Sequence, residues 1–456
     1  MFVLIVSPPL LDYKHCMEQT TREGLVRGIR RWDLVAVVIN GIIGAGIFGL
    51  PSKIHSLIGS YSLIAFSVCA LVVTLIILCF AEVASRFDAT GGPYLYAREA
   101  FGSLTGFEVG WLQWLARITA FAANSNLLVE YLGFFWPTAV SEPWRTIIIT
   151  GVTAALTLIN IVGVRNATVF GNFFTIGKLI PLVLFIAVGI FFINYGNYSP
   201  ALPPGAPALG YATFSTSVLL LIYAFTGFEM AVIPAGEVQN PQRNIPVALL
   251  IAIGIVATLY ILIQFVSIGT LPGLAGSSKP LADASRSFMG SAGAAIISAG
   301  AMVSIVGNLS LLILAGSRIP FAMAEQKQLP RVLSDTHKRF HTPHAAILLT
   351  AAIMLALALS GTFIYALTIS AIARLLTYAA TCAALPRFRS LKEAPPSKFQ
   401  APAGVFVAVA ALMLAGWLLS NSSLREARDA GIAAALGLLI YFAYRASRRR
   451  GVNPIG

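Results

Sequence analysis

The stretch Asn40-Gly41-Ile42-Ile43-Gly44-Ala45-Gly46-Ile47-Phe48 decides how this chain is read, because it lies in the middle of the first long apolar segment. Each glycine costs a helix about 1 kcal/mol relative to alanine. Three glycines at every second or third position loosen a helix where no water is at hand to satisfy the freed backbone groups. Such a stretch persists when something else meets those amides and carbonyls, and in a transport protein the cargo can do so. The competing reading is close helix packing through small residues.

The surroundings of this stretch fit a bilayer. The 456 residues are 57% hydrophobic and only 11% charged, with mean hydropathy +0.81. Soluble domains carry about 25% charged residues, so this chain cannot cover a water-facing surface. Runs of about 20 apolar residues, bounded by polar or Pro/Gly punctuation, recur about twelve times. Their approximate limits are 33–58, 61–86, 104–135, 145–163, 170–193, 212–236, 245–271, 290–322, 344–360, 362–385, 402–420 and 430–446. Only Ser360-Gly361-Thr362 separates the ninth from the tenth, which predicts a tight hairpin.

A net charge of +13 invites a nucleic-acid reading, but the distribution argues against that partner. With the amino terminus inside, all but nine of the 31 Lys and Arg residues fall on the inner side. The exceptions are Lys53, Arg145, Lys279, Arg286, Arg425 and Arg428 outside, and Arg117, Lys178 and Arg374 within spans. This is the positive-inside pattern of a multi-pass protein of the cell membrane with both ends cytoplasmic. The partner it implies is the lipid bilayer. Met1 to Leu11 is apolar but too short to span, ends at Pro8-Pro9 and has no basic residue ahead of it, so it does not read as a signal peptide. Residues 1–30 read as a cytoplasmic tail, with Met17 an alternative start. The cysteines Cys16, Cys69, Cys79 and Cys382 lie in that tail or inside spans, so no disulfide framework is expected.

The sixth span repeats the oddity of the first. Tyr223-Ala224-Phe225-Thr226-Gly227-Phe228-Glu229 puts a glycine and a carboxylate inside a hydrophobic helix. At about 1.5 Å per residue, the first break lies roughly 15–20 Å from the inner end of its span, and the second a similar depth from the outer end of its own. Interrupted helices at matching positions of two halves point to a transporter site at the midplane. The expected fold is all-α and integral to the membrane, a five-plus-five inverted repeat with discontinuous first and sixth helices. Its core is 31–385, with halves 33–193 and 212–385; residues 386–456 add two helices and a basic tail.

With these segments in order, the chain resembles the amino acid–polyamine–organocation superfamily of permeases over nearly its whole length. The resemblance is carried by Gly41-Ile-Ile-Gly-Ala-Gly-Ile-Phe48, by Phe80-Ala-Glu82 leading into Gly91-Gly-Pro-Tyr-Leu-Tyr-Ala-Arg-Glu-Ala-Phe-Gly102, and by Gly177-Lys-Leu-Ile-Pro181. It continues through Tyr223 to Glu229, Gly236-Glu-Val-Gln-Asn-Pro-Gln-Arg-Asn-Ile-Pro246, Arg318 to Pro330 and Thr342-Pro343. The resemblance implies the fold of the bacterial leucine transporter and transport of amino acids or related amines. It also implies that a substrate carboxylate meets backbone amides at the first break, while the ammonium meets carbonyls from both. Carried over, the substrate-binding positions are Ile42, Ile43, Gly44, Ala45 and Gly46, faced by Tyr223, Ala224, Phe225, Thr226 and Gly227. Many relatives have serine where this chain has Ala45, so one hydroxyl contact is missing. Tyr223 stands where relatives place an aromatic gate, although a buried tyrosine is often only a packed ring.

Lys178 lies about 12 Å into its span, too deep to reach the interface easily. Proton-coupled relatives carry a lysine here, where sodium-coupled members of the fold bind a cation. The resemblance therefore implies proton coupling through Lys178, bridging the first and eighth helices. The other reading is a fixed ion pair with Glu229 or Glu108. Glu82, Glu237 and Arg318 lie near inner helix ends and are candidates for a cytoplasmic gate, or simply solvated caps. Arg117 and Arg374 are intramembrane cations that either pair with Glu108 or Glu130 or shape substrate choice. Asn308 is a candidate for the pocket wall or for a helix-to-helix hydrogen bond.

His337, His341 and His344 have Lys338 and Arg339 among them, which disfavours a metal, and 318–339 reads as a basic interfacial segment. Neither a hydrolase triad nor a phosphate-binding loop appears, so no enzyme and no cofactor is expected beyond the proton as coupling ion. The expected function is proton-coupled amino-acid uptake by alternating access, with an exchanger as the alternative. A non-transporting sensor would bring a long signalling domain. A disulfide-linked heavy chain would need an outer cysteine between the third and fourth spans, where 134–143 has none. With Glu229 as the only acid in the two breaks, the reading leans to neutral amino acids.

Overall fold

The computed structural model of the protein describes residues 29–451, apart from 89–90, 163–166, 200, 234, 236–237, 338–339, 341 and 361–362; side chains of 167–176, 363–365 and 447–451 are also outside the description. Calls on the tail with Cys16, on Glu237, on Lys338, Arg339 and His341, and on the hairpin residues Gly361 and Thr362 lie outside the described residues.

Among the described residues, the apolar runs fall largely on helix. The helices are α1 (Arg31–Ile42), α2 (Ala45–Ile58), α3 (Ser62–Ala84), α4 (Pro93–Phe101), α5 (Ser103–Leu132), α6 (Trp144–Val162) and α7 (Ala167–Gly189). They continue as α8 (Tyr211–Phe225), α9 (Pro241–Thr270), α10 (Pro280–Glu325), α11 (His344–Ser360), α12 (Phe363–Ser390), α13 (Gly404–Ser420) and α14 (Leu424–Gly451). Proline supplies three of the starts. Pro93, Pro241 and Pro280 each occupy the first helical position, where a missing N–H costs nothing.

Two departures from the sequence reading have local causes. The eighth run begins ten residues early, because Pro280 starts a helix that turns at Gly290 (φ 65°, ψ −160°) before the apolar part of α10. The last run also begins early, at Leu424, where Glu426 accepts from the Ser423 amide at 2.8 Å and so caps the first turn. The one pairing of extended backbone among the described residues is an isolated bridge between Ile29 and Val238. It ties the entry of α1 to the segment after α8.

Among the described residues, seven helical stretches are long and apolar enough to cross a membrane, and three more apolar helices are shorter. Leu71, Leu158, Ile180, Phe191, Phe406 and Leu439 stand exposed on outward faces. Apolar surface on that scale is a liability in water and at home in lipid. This is a membrane protein. Its interior is close-packed: a methyl added at Gly300 of α10 would lie 2.4 Å from Pro181 of α7. Around the first interruption, Tyr131 of α5 donates to the Phe48 carbonyl at 2.7 Å and stacks edge-on with the Phe48 ring. Phe225 at the end of α8 is held edge-on by Phe66 of α3 and Tyr260 of α9. The aromatic collar fixes where the two interrupted helices meet.

Candidate functional site

The first interruption is two residues long. Between α1 and α2, Ile43 (φ −74°, ψ 95°) and Gly44 (φ −128°, ψ −147°) leave the helical region. The second lies between α8 and a short 3-10 turn, Phe228–Ala231, and consists of Thr226 (φ −83°, ψ 163°) and Gly227 (φ 112°, ψ −11°). Both are narrower than the windows 41–48 and 223–229 read from the sequence. Gly41 and Gly46 stay helical, and close packing explains them. A methyl at Gly41 would lie 2.6 Å from the Gly227 carbonyl oxygen, and one at Gly46 would lie 2.6 Å from the Ala224 Cα. Gly227 has both reasons to be glycine: its φ is left-handed, and a methyl there would sit 2.1 Å from the Gly41 oxygen. The breaks face each other, backbone against backbone.

Polar groups from four other helices converge on them. Lys178 of α7 is fully buried, and its Nζ donates to the Ile43 carbonyl at 2.7 Å and the Asn40 carbonyl at 3.1 Å. Ser304 of α10 reaches the same Ile43 oxygen at 3.4 Å, so Lys178 and α10 meet at one carbonyl. The Tyr260 hydroxyl of α9 is 3.2 Å from both the Ile42 and the Ala224 oxygens. With a single proton, it donates to one break or the other. Asn124 of α5 accepts from the Ala45 amide at 3.3 Å and the Tyr223 hydroxyl at 3.2 Å, and donates to Asn308 Oδ1 at 2.8 Å. Asn308 lies against Gly44, where a methyl would come 3.1 Å from Nδ2. Thr226 Oγ1 donates to the Tyr223 carbonyl at 2.8 Å.

The first amides of α2 have no partner within their own helix, and this end of a helix carries partial positive charge. The Ile42 and Ala224 carbonyls, both 3.2 Å from the Tyr260 hydroxyl, are the acceptors of the two breaks. A helix start can hold an anion and free carbonyls a cation, which together is the charge pattern of a zwitterion. Asn124, Ser304 and Tyr260 were missed by sequence reasoning. The run Asn124-Ser125-Asn126 inside an apolar span was the available signal for the first of them.

Glu229, just past the second break, is 3% exposed and fully engaged. One oxygen forms an ion pair with Arg374 of α12; the other accepts from the Tyr378 hydroxyl at 2.7 Å and the Gly227 amide at 2.9 Å. Lys178 is therefore not paired with Glu229 or Glu108, because it turns to backbone carbonyls instead. Arg374 likewise pairs with neither Glu108 nor Glu130. Arg117 takes neither carboxylate and donates to the Met230 sulfur at 3.1 Å.

Of the residues read as a cytoplasmic gate or solvated caps, Glu82 and Arg318 take partners other than each other. Glu82 is completely buried and is held by Arg86 at 3.2 Å, by Arg389 at 2.7 and 2.6 Å, and by the Ala401 amide at 2.9 Å. Arg318 donates to Ser317 at 3.1 Å, not to Glu82. Glu82 thus fastens α3 to α12 and to the segment leading into α13. His337 and His344 rings meet edge-on, and no group of three potential metal ligands occurs among the described residues.

Comparison with known proteins gives the family. A sequence profile of the family described as amino acid permease matches residues 29–441. The chain is 28% identical over 452 residues to a methylthioribose transporter of Bacillus subtilis, covering 93% of this chain and 95% of that one. It is 27% identical over 444 residues to the serine/threonine exchanger SteT of the same organism, covering 94% and 99%. An uncharacterized transporter of Mycobacterium tuberculosis is 30% identical over 353 residues, covering 76% and 77%. On the extent of that profile match and of these similarities, the chain belongs to the amino acid permease family.

Proposed function

We propose that the protein takes up an amino acid together with protons by alternating access, and that the facing breaks at Ile43–Gly44 and Thr226–Gly227 hold the substrate. In this reading, Ile42, Ile43, Gly44, Ala45 and Gly46 receive the carboxylate side of the cargo. Tyr223, Ala224, Phe225, Thr226 and Gly227 face the ammonium, and Tyr223 closes over it. The chain forms about twelve spans with both ends cytoplasmic. Residues 33–193 and 212–385 are the two inverted halves, and 386–456 is an addition. The reading leans to a neutral over a cationic amino acid, because Glu229 is already neutralised by Arg374 and Tyr378 and has no oxygen left for a cationic side chain.

The observation that carries proton coupling is Lys178 Nζ on the Ile43 and Asn40 carbonyls. A buried ammonium there holds the first break together. Loss of its proton leaves a neutral amine whose bonds to those carbonyls are no longer charge-assisted, which loosens the break. The test is uptake into proteoliposomes under an inward proton gradient. Uptake by the unaltered protein rises as external pH falls, whereas Lys178→Ala protein that binds substrate shows uptake independent of pH. Full pH dependence in Lys178→Ala would remove this role. The serine/threonine exchanger among the relatives favours a second reading, obligate exchange. In that case empty vesicles accumulate nothing under a proton gradient, and only vesicles preloaded with amino acid take up label.

A further inference from the structure

The cluster behind the second break carries one positive charge too many. Arg117 of α5 and Arg374 of α12 both lie close to Glu229, and guanidinium groups stay protonated in proteins. Both Glu229 oxygens are occupied, one by Arg374 and the other by Tyr378 and Gly227. Arg117 is left over. It is 2% exposed, its Nη1 has only the Met230 thioether, a weak acceptor, and its Nε has no partner. Among the described residues, the charged and titratable groups facing it are Glu229, Arg374 and Tyr378, with no second carboxylate. A buried cation without its counter-charge is strongly unfavourable in a low-dielectric interior.

Its position ties it to the cleft. Arg117, Ala120 and Asn124 recur at three- and four-residue spacing, which puts them on one face of α5. The Ala120 carbonyl and Asn124 Oδ1 both meet the Tyr223 hydroxyl, at 3.4 and 3.2 Å. Across from Arg117 stands Gly316 of α10, where a methyl would lie 3.8 Å from the Arg117 Cβ. Met230, which receives the guanidinium, donates its amide to the Gly227 carbonyl at 3.1 Å, so the cation is two bonds from the break.

We propose that Arg117 anchors an anion site beside the amino-acid cleft, occupied by a small monoanion: either a carboxylate carried by the cargo or a halide such as chloride. Only the carboxylate alternative rests on the reading of the cleft as a transport path, since chloride would bind whether or not amino acids are moved. Bound there, the anion completes the charge balance of two guanidiniums and two anions.

The test is thermal unfolding of the purified full chain, first with chloride replaced by bulky gluconate, then with sodium chloride, sodium glutamate or sodium aspartate titrated in. A saturable rise in Tm of about 2–4 °C with chloride, absent in Arg117→Gln, identifies a halide site. The same pattern with glutamate or aspartate but not chloride identifies a cargo carboxylate. No response in the unaltered protein, or an equal response in Arg117→Gln, overturns the proposal. Should Arg117→Gln fail to fold, Arg117→Met decides. Removing a surplus charge makes it at least as stable as the unaltered protein in gluconate, whereas a marked loss of Tm means that Arg117 is structural and the proposal fails.

Discussion

At the first break the stray backbone groups are carbonyls and a cation meets them; at the second the stray group is an amide and a carboxylate meets it. Lys178 reaches the Asn40 and Ile43 oxygens, and Glu229 receives the Gly227 N–H. The two arrangements differ in what stands behind them. Lys178 has backbone dipoles for company, so a lost proton strands no opposite charge. Glu229 is fixed by Arg374 and Tyr378, and altering it strands a guanidinium. On the proposed reading, the first break can change its charge state while the second keeps it. Tyr260, with one proton for carbonyls of both, sits between them.

The contrast is most severely tested where the breaks touch. Gly227→Ala places a methyl 2.1 Å from the Gly41 oxygen in a left-handed backbone, and neither strand can yield. A loss of more than about 4 kcal/mol is expected, read as disappearance of monodisperse protein in size-exclusion chromatography. Normal protein from this variant would mean that the breaks are not apposed. The next effect in size is at the fixed break. Glu229→Gln leaves Arg374 unpaired and costs about 3–5 kcal/mol, whereas Glu229→Gln combined with Arg374→Met recovers much of the lost Tm. Equal Tm for single and double variants would contradict the pairing. The smallest effect belongs to the link: Tyr260→Phe removes one hydroxyl and costs about 1 kcal/mol, or roughly a fivefold loss of transport rate with folding intact. An unchanged rate would make Tyr260 a packed ring and nothing more.

Much of this architecture is written locally. Gly44 and Gly227 mark the breaks within a residue or two, because glycine and bilayer chemistry act over a few positions. Proline at Pro93, Pro241 and Pro280 similarly announces where helices start. Partners across the bundle are another matter. Nothing in the run around Asn124 says that its side chain meets Ala45 and Tyr223, and the acid nearest in sequence to Arg117, Glu108, is not its partner. Ion pairs such as Glu82 with Arg389 join residues about 300 positions apart, and choosing among a handful of buried acids and bases needs the packing angles of helices. The sequence windows for the breaks were also too wide. Gly41 and Gly46 serve contact rather than unwinding, two uses of glycine that look alike in one dimension.

The central claim is that main-chain groups at the two breaks hold both charges of a zwitterion, and direct binding tests it. The common amino acids are screened against the purified protein, and the tightest is compared with its methyl ester and its N-acetyl derivative. The account predicts that removing either charge weakens binding by at least tenfold, since the α2 amides lose the carboxylate or the Ile42 and Ala224 carbonyls lose the ammonium. Equal binding of all three would contradict it.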